Sequence, residues 1–332
     1  MAKISLIIVI LLFIINIGIG QKSTPPAIIF DTDMGPDYDD VGAITLLHAF
    51  ADSGKIRILA TVASTNYEGV AGVLNVLNTY FHRPELPIGV ARPNGLKLRD
   101  WQHWTDTLLS KYPHSIQTNK EVPDAVEVYR KILSRQPDRS VTIVTVGFLT
   151  NISDLLKSTG DHYSSLNGEQ LFNKKVKKMV SMAGRFPSGK EFNLEKDAAA
   201  SVYVFSHLKI PVIFSGFEIG MKIKTGLPLI NNKQIYNSPV KDVFSICIPK
   251  AAEDSLGRKS WDETAVLVAA TDYHPYYFLE KGHLIMNADG NNYWNSNEQG
   301  QFYLKEKISP VKVQKIINGL IMHQPRQSKK QF

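Results

Sequence analysis

The chain has 332 residues, 43% of them apolar, with 38 Lys and Arg against 31 Asp and Glu and a formal net charge of +7. That apolar content supports a sizeable core and excludes a chain kept unfolded by polarity. The single cysteine, Cys247, excludes an internal disulfide. The basic residues are scattered, with small clusters only at 174–178 and 329–330, and read as solvated surface rather than as a nucleic-acid site.

Residues 1–20 open with Lys3, run apolar from Leu6 to Ile17 and end on Gly18-Ile19-Gly20, the pattern of a signal peptide removed at export. The apolar run is shorter than the roughly 20 residues a membrane span needs, so no stable span is expected after cleavage. Export without disulfides fits a periplasmic or secreted bacterial protein. Residues 21–26 read as a linker, 27–323 as one domain and 324–332 as a disordered tail.

Apolar runs predict strands at 27–30, 57–63, 87–90, 141–146, 178–182 and 211–214. Helix-period segments predict helices at 40–52, 67–81, 125–135, 151–157, 196–206, 263–272 and 310–322. This alternation predicts an α/β fold, a single domain with a mostly parallel open sheet flanked by helices. Ligands in such sheets bind beyond the carboxyl ends of the strands, at a topological switch point. The residues after each strand therefore form one candidate set.

That set begins with Asp31-Thr32-Asp33-Met34-Gly35-Pro36-Asp37-Tyr38-Asp39-Asp40, where five carboxylates fall in ten positions. Packed carboxylates raise one another's pKa, and a bound cation relieves them. Oxygen-only ligands favour calcium or magnesium over zinc. Later members are Asn66, the stretch from Val146 to Asn151, Glu191-Phe192-Asn193, and Trp261-Asp262 at the start of a helix. Carboxylates, amides and hydroxyls suit a cation and a polyhydroxylated ligand such as a sugar. Read singly, Asn66, Thr150 and Asp262 also suit helix capping.

In this order the segments resemble the nucleoside hydrolases: Asp31-x-Asp33-x-Gly35…Asp39-Asp40, Asn66, Gly147-Phe148-Leu149-Thr150-Asn151, Glu191-Phe192-Asn193…Asp197-Ala198-Ala199, and Asp262 before Thr264-Ala265-Val266. The resemblance spans about residues 27–322. It implies a Rossmann-like domain that cleaves the N-glycosidic bond of ribonucleosides with one tightly held calcium ion. It implies that Asp33 touches the calcium and acts as general base on the attacking water. Asp40, the Val146 carbonyl and Asp262 are then the other calcium ligands. Asp39, Asn66, Glu191 and Asn193 hold ribose hydroxyls, and Asp31 supports the site. The implied partner is a small nucleoside; a homo-oligomer is compatible with this.

Three departures mark this chain. Three residues, Pro36-Asp37-Tyr38, separate Gly35 from Asp39-Asp40 where one is commoner, so Asp37 competes with Asp39 for the ribose role. The stretch from Met182 to Glu191 is short, and a ribose-contacting Asn usual there has no counterpart. Trp261 stands where many members have a His that protonates the leaving base. Trp261 reads either as a core aromatic or as a stacking platform for the leaving base, which would favour purines, with the Trp101–Trp104 segment as a second wall and His103 as a replacement acid. The competing readings are hydrolysis of another pentoside, a calcium-dependent sugar-binding protein with little catalysis, and a phosphatase of the haloacid-dehalogenase type. For the last, the required later Lys and acidic pair have no clear place.

Overall fold

The computed structural model describes residues 24–325. The expected signal peptide, residues 21–23 of the linker and residues 326–332 of the tail lie outside the described residues. Twelve strands are present among the described residues. They are β1 (Ala27–Thr32), β2 (Arg57–Ala63), β3 (Ile88–Val90), β4 (Val141–Thr145), β5 (Val176–Met182), β6 (Ser188–Lys190), β7 (Val212–Ser215), β8 (Lys224–Thr225), β9 (Arg258–Lys259), β10 (Tyr277–Met286), β11 (Asn291–Asn295) and β12 (Gln301–Glu306).

The main sheet runs β3-β2-β1-β4-β5-β7-β12-β10-β11-β6. Every pair from β3 to β12 is parallel, and β10, β11 and β6 extend the sheet in antiparallel fashion. The parallel strands are apolar runs because helices cover both their faces. The antiparallel extension gives no apolar run in the sequence because most of its residues are half-exposed or exposed, with only scattered buried positions.

The helices, in chain order, are α1 (Asp39–Asp52), α2 (Val70–Tyr80), α3 (Trp104–Lys111), α4 (Ala125–Ser134), α5 (Thr150–Lys157), α6 (Gly168–Lys175), α7 (Phe192–Lys196), α8 (Ala198–His207), α9 (Phe217–Gly220), α10 (Leu227–Asn231), α11 (Pro239–Cys247), α12 (Trp261–Thr271) and α13 (Pro310–Ile321). One apolar core joins the sheet to α1, α2, α3, α11, α12 and α13. The opposite core joins it to α4, α5, α6 and α8. Helix α1 is buried from Asp39 to Phe50 on all sides, so its apolar residues need no amphipathic pattern. At the far end of the described residues, Gln324 accepts a hydrogen bond from the Tyr80 hydroxyl at 2.7 Å. No described helix is long and apolar enough to cross a membrane.

Candidate active site

Strand β1 lies between β2 and β4, and the chain turns to opposite sides of β1 to reach them. That is the topological switch point, and it opens a crevice at the carboxyl ends of β1 and β4. The Val146 amide donates to the Asp31 carbonyl at 2.8 Å, which carries the β1–β4 pairing past the last strand residues. Gly147 follows, and a Cβ there would sit 2.2 Å from the Asp33 nitrogen. Only glycine permits so close an approach of the two strand ends.

The crevice forms a cleft of about 150 Å³ lined by Asp33, Asp37, Asp39, Asp40, Val146, Met182, Glu191, Phe192, Asn193, Phe217, Trp261 and Asp262. Every predicted metal ligand is in this wall, and so are Asp37, Asp39, Glu191 and Asn193. Asn66 is not. It sits beyond β2, with its backbone amide on the Leu96 carbonyl and its Oδ1 buried without a partner.

Carboxylate oxygens of Asp39, Asp40 and Asp262 lie within 4.8 Å of one another. Asp33 belongs to the same electrostatic cluster. Burial pushes Asp33, Asp40 and Asp262 well above the usual carboxylate range, and repulsion from neighbouring carboxylates adds to it, chiefly from Asp40 on Asp33 and from Asp39 on Asp40 and Asp262. One oxygen of Asp40 accepts from the Thr32 hydroxyl, while Oδ2 is buried without a partner. An all-oxygen donor set with an orphaned buried carboxylate oxygen fits a hard divalent cation. The amino end of α1, with Asp39 and Asp40 in its first turn, adds a favourable dipole for these negative charges.

Asp39 is the most tightly held of the group. Its Oδ1 accepts from Arg258 Nε at 3.1 Å and Nη2 at 2.7 Å. Its Oδ2 accepts from the backbone amides of Trp261 at 3.1 Å and Asp262 at 3.3 Å. Asp39 thus ties α1 to the amino end of α12 and aims Trp261 and Asp262 at the cleft. Next to Asp262, Glu263 is fully buried with both carboxylate oxygens unpartnered, over Gly42 of α1. Burial first, then Asp39, pushes Glu263 well above its usual range.

Glu191 caps α7, accepting from the amides of Asn193 at 2.8 Å, Leu194 at 3.3 Å and Gly184 at 3.1 Å. Burial raises its pKa to about 7. The Asn193 amide nitrogen donates to the Val146 carbonyl at 3.0 Å and the Met182 carbonyl at 3.2 Å. Asp31 faces away from the cleft, accepting from the Tyr129 hydroxyl at 2.8 Å and Asn151 at 3.0 Å. Burial raises its pKa to about 7, against those two hydrogen bonds.

Trp261 is half-buried beside Phe217, ring centres 5.2 Å apart, and its indole N–H donates to the Phe217 carbonyl at 2.8 Å. That bond fixes the ring and uses its only donor. His103 does not join the site: it is exposed and pairs with Asp106 at 3.2 Å. Trp104 is buried in the core under α3 and Trp101 is exposed, so that segment forms no second wall among the described residues.

The sequence reading missed Arg258, Phe217, Thr32 and Glu263. Phe217 reaches the cleft, and Arg258 reaches the carboxylates of Asp37 and Asp39 in its wall, from distant parts of the chain with no local motif. Thr32 and Glu263 were legible only as neighbours of proposed ligands.

The fold and cleft together define a single α/β domain with a mostly parallel sheet and a buried cluster of carboxylates at its switch point. A family model described as inosine-uridine preferring nucleoside hydrolase matches residues 28–316, so the chain belongs to that family, whose members are hydrolases acting on N-glycosyl compounds. The pyrimidine-specific ribonucleoside hydrolase of Shewanella sp. strain MR-7 is 27% identical over 234 residues, 68% of this chain and 66% of that protein. The match therefore spans just under two thirds of that relative's length. The fold matches a purine-preferring ribonucleoside hydrolase from Gardnerella vaginalis with a TM-score of 0.68 at 16% identity, covering 89% of this chain and 99% of that one. It matches a plant nucleoside hydrolase with a TM-score of 0.67 at 17% identity, covering 90% and 99%.

Proposed function

We propose that the chain is an exported enzyme that hydrolyses the N-glycosidic bond of ribonucleosides to free base and ribose, with one calcium ion in the acidic cleft. The observation that carries this reading is the meeting of Asp33, Asp40 and Asp262 at the β1–β4 crevice, with Asp40 Oδ2 buried and unpartnered. Asp33, Asp40, Asp262 and the Val146 carbonyl would hold the ion. When bound, calcium supplies a fixed positive charge that grips sugar hydroxyls and acidifies the attacking water.

The chain's own residues do the rest. Asp33 is almost fully buried and open only to the cleft, where it takes the proton of the attacking water as general base. Cleavage builds positive charge on the sugar ring, and the surrounding carboxylates stabilise it. Glu191 is locked by three backbone amides and shapes the sugar pocket. Asn193 spends its amide nitrogen on two carbonyls and turns its oxygen to the ligand. Asn66, which lies outside the cleft wall, takes no part in holding the sugar in this reading. Asp31 braces the end of β1 from behind. Trp261 and Phe217 form an aromatic wall for the base, and purines offer it the larger ring.

One observation favours the alternative of a calcium-dependent sugar-binding protein: among the described residues, no His, Lys, Cys or Tyr lines the cleft to protonate a leaving base. Base release from inosine, adenosine and uridine by the purified protein, with and without chelator, decides between them. We expect release that chelation abolishes and calcium restores. Calcium-dependent ribose binding without any base release would replace the enzyme by the binding protein, and chelator-insensitive release would remove the calcium.

A further inference from the structure

Asp37 and Asp39 share one guanidinium but differ in what they have left to offer. The four hydrogen bonds on Asp39, two from Arg258 and two from the α12 amides, fill the roughly four acceptor positions of a carboxylate. Asp37 sits 2.6 Å from Arg258 Nη2 through Oδ1 alone. No donor among the described residues reaches its Oδ2. Its side chain is 46% exposed and stands in the cleft wall.

The position of Asp37 is nonetheless fixed from both sides. The next residue, Tyr38, is buried, with its hydroxyl donating to Asp254 Oδ2 at 2.6 Å and its ring edge-on to Phe244 at 5.3 Å. Arg258 lies over the rings of Tyr38 and Trp261, at 4.8 and 5.2 Å, with Asp254 3.7 Å from its Nη1. The longer spacing between Gly35 and Asp39 therefore does not form a loose loop. It carries a half-exposed carboxylate on a buried aromatic anchor, at the mouth of the cleft.

We propose that Asp37, rather than Asp39, is the carboxylate that grips a sugar hydroxyl, and that Arg258 divides the two roles by locking Asp39 onto α12 while presenting Asp37 to the cleft. The inference rests on the nucleoside reading above and names the residue that recognises the sugar in it. Asp37 Oδ2 accepts the hydroxyl proton. Arg258 is a positioning residue: it touches no ligand, and it keeps both carboxylates from repelling each other. A site that hydrogen-bonds a hydroxyl discriminates against the analogue that lacks it. Losing the Asp37 acceptor erases that discrimination at one hydroxyl only.

The test uses the calcium-loaded chain with inosine and its 2′-, 3′- and 5′-deoxy analogues. Asp37→Ala lowers kcat/KM for inosine by about 10- to 100-fold, the size of a hydrogen bond to a charged group. One deoxy analogue is cleaved equally by the wild type and the variant, while the other two fall with inosine. Calcium affinity by calorimetry and the thermal midpoint stay at wild-type values. Asp39→Asn lowers the thermal midpoint and reduces all four substrates alike, and Arg258→Lys lies between the two. Wild-type kcat/KM in Asp37→Ala, or an equal loss on all four substrates, overturns the proposal. If the wild type cleaves none of them, the nucleoside reading itself falls. Calcium-dependent ribose binding, weakened by Asp37→Ala or not, then decides the sugar contact by itself.

Discussion

Gly147→Ala tests whether the close approach of the β1 and β4 ends builds the site. The added Cβ would lie 2.2 Å from the Asp33 nitrogen, 2.7 Å from its Cβ and 2.8 Å from the Thr32 carbonyl carbon. Two of these are backbone atoms, which cannot swing aside as a flexible side chain does. Ordinary contact begins near 3.4 Å, so the strand ends must part by about 1.2 Å. Overpacking of this kind costs about 1–3 kcal/mol, which lowers the thermal midpoint by a few degrees. The larger effect is on chemistry. Moving Asp33 by about 1 Å relative to Val146 and Asp40 costs on the order of 10²-fold in rate. Circular dichroism, a thermal melt and kcat on inosine measure the three quantities. A variant with wild-type kcat and calcium affinity would refute the claim that this contact sets the site.

Trp261→Ala should lower kcat for inosine more than it changes KM, and should narrow the preference for inosine over uridine by about 2- to 10-fold, the range of aromatic stacking. A preference unchanged by the substitution, or uridine as the better wild-type substrate, removes the stacking role. His48, fully buried against Phe81, has its pKa lowered to about 3 by burial and then by Arg83. Its folded value lies below the unfolded value of about 6.5, so its contribution is complete above pH 6.5 and is lost as pH falls toward 3. From pH 8 to pH 5 that loss amounts to about 2 kcal/mol, which His48→Gln should abolish. Denaturant melts of both proteins at the two pH values check it, and parallel losses in both would count against His48.

Strands β1 to β5 and β7 were legible because each reads as an apolar run; β2 begins and ends where the apolar run 57–63 does. Strands β10, β11 and β12 were not, since their mixed burial leaves no apolar run to read, although β12 pairs in parallel with β7. In the site, the place of Asp33 and Asp40 in the cleft wall was legible because carboxylates crowded after an apolar run are anomalous in themselves, whereas Asp262 opens a helix and was drawn in by the order it shares with the nucleoside hydrolases. The clamp on Asp39 was not. Its partner Arg258 lies 219 residues away, and an ion pair over that separation leaves no local pattern. Trp261 was visible as a residue out of place, but the Phe217 carbonyl that takes its N–H comes from a different element. The expected second wall at Trp101–Trp104 was not legible as absent, because nothing in the sequence says that the segment leading into α3 contributes no residue to the cleft.

A calorimetric titration of the chelator-treated protein with calcium, for the wild type and for Asp40→Ala, tests the cation site most directly. Asp40 offers the one orphaned buried oxygen among the clustered aspartates, so the wild type should bind one ion per chain. Asp40→Ala, with an unchanged far-ultraviolet spectrum, should bind at least about 100-fold more weakly and lose base release with it. Equal stoichiometry and affinity in the two proteins would contradict a cation site built from Asp33, Asp40 and Asp262.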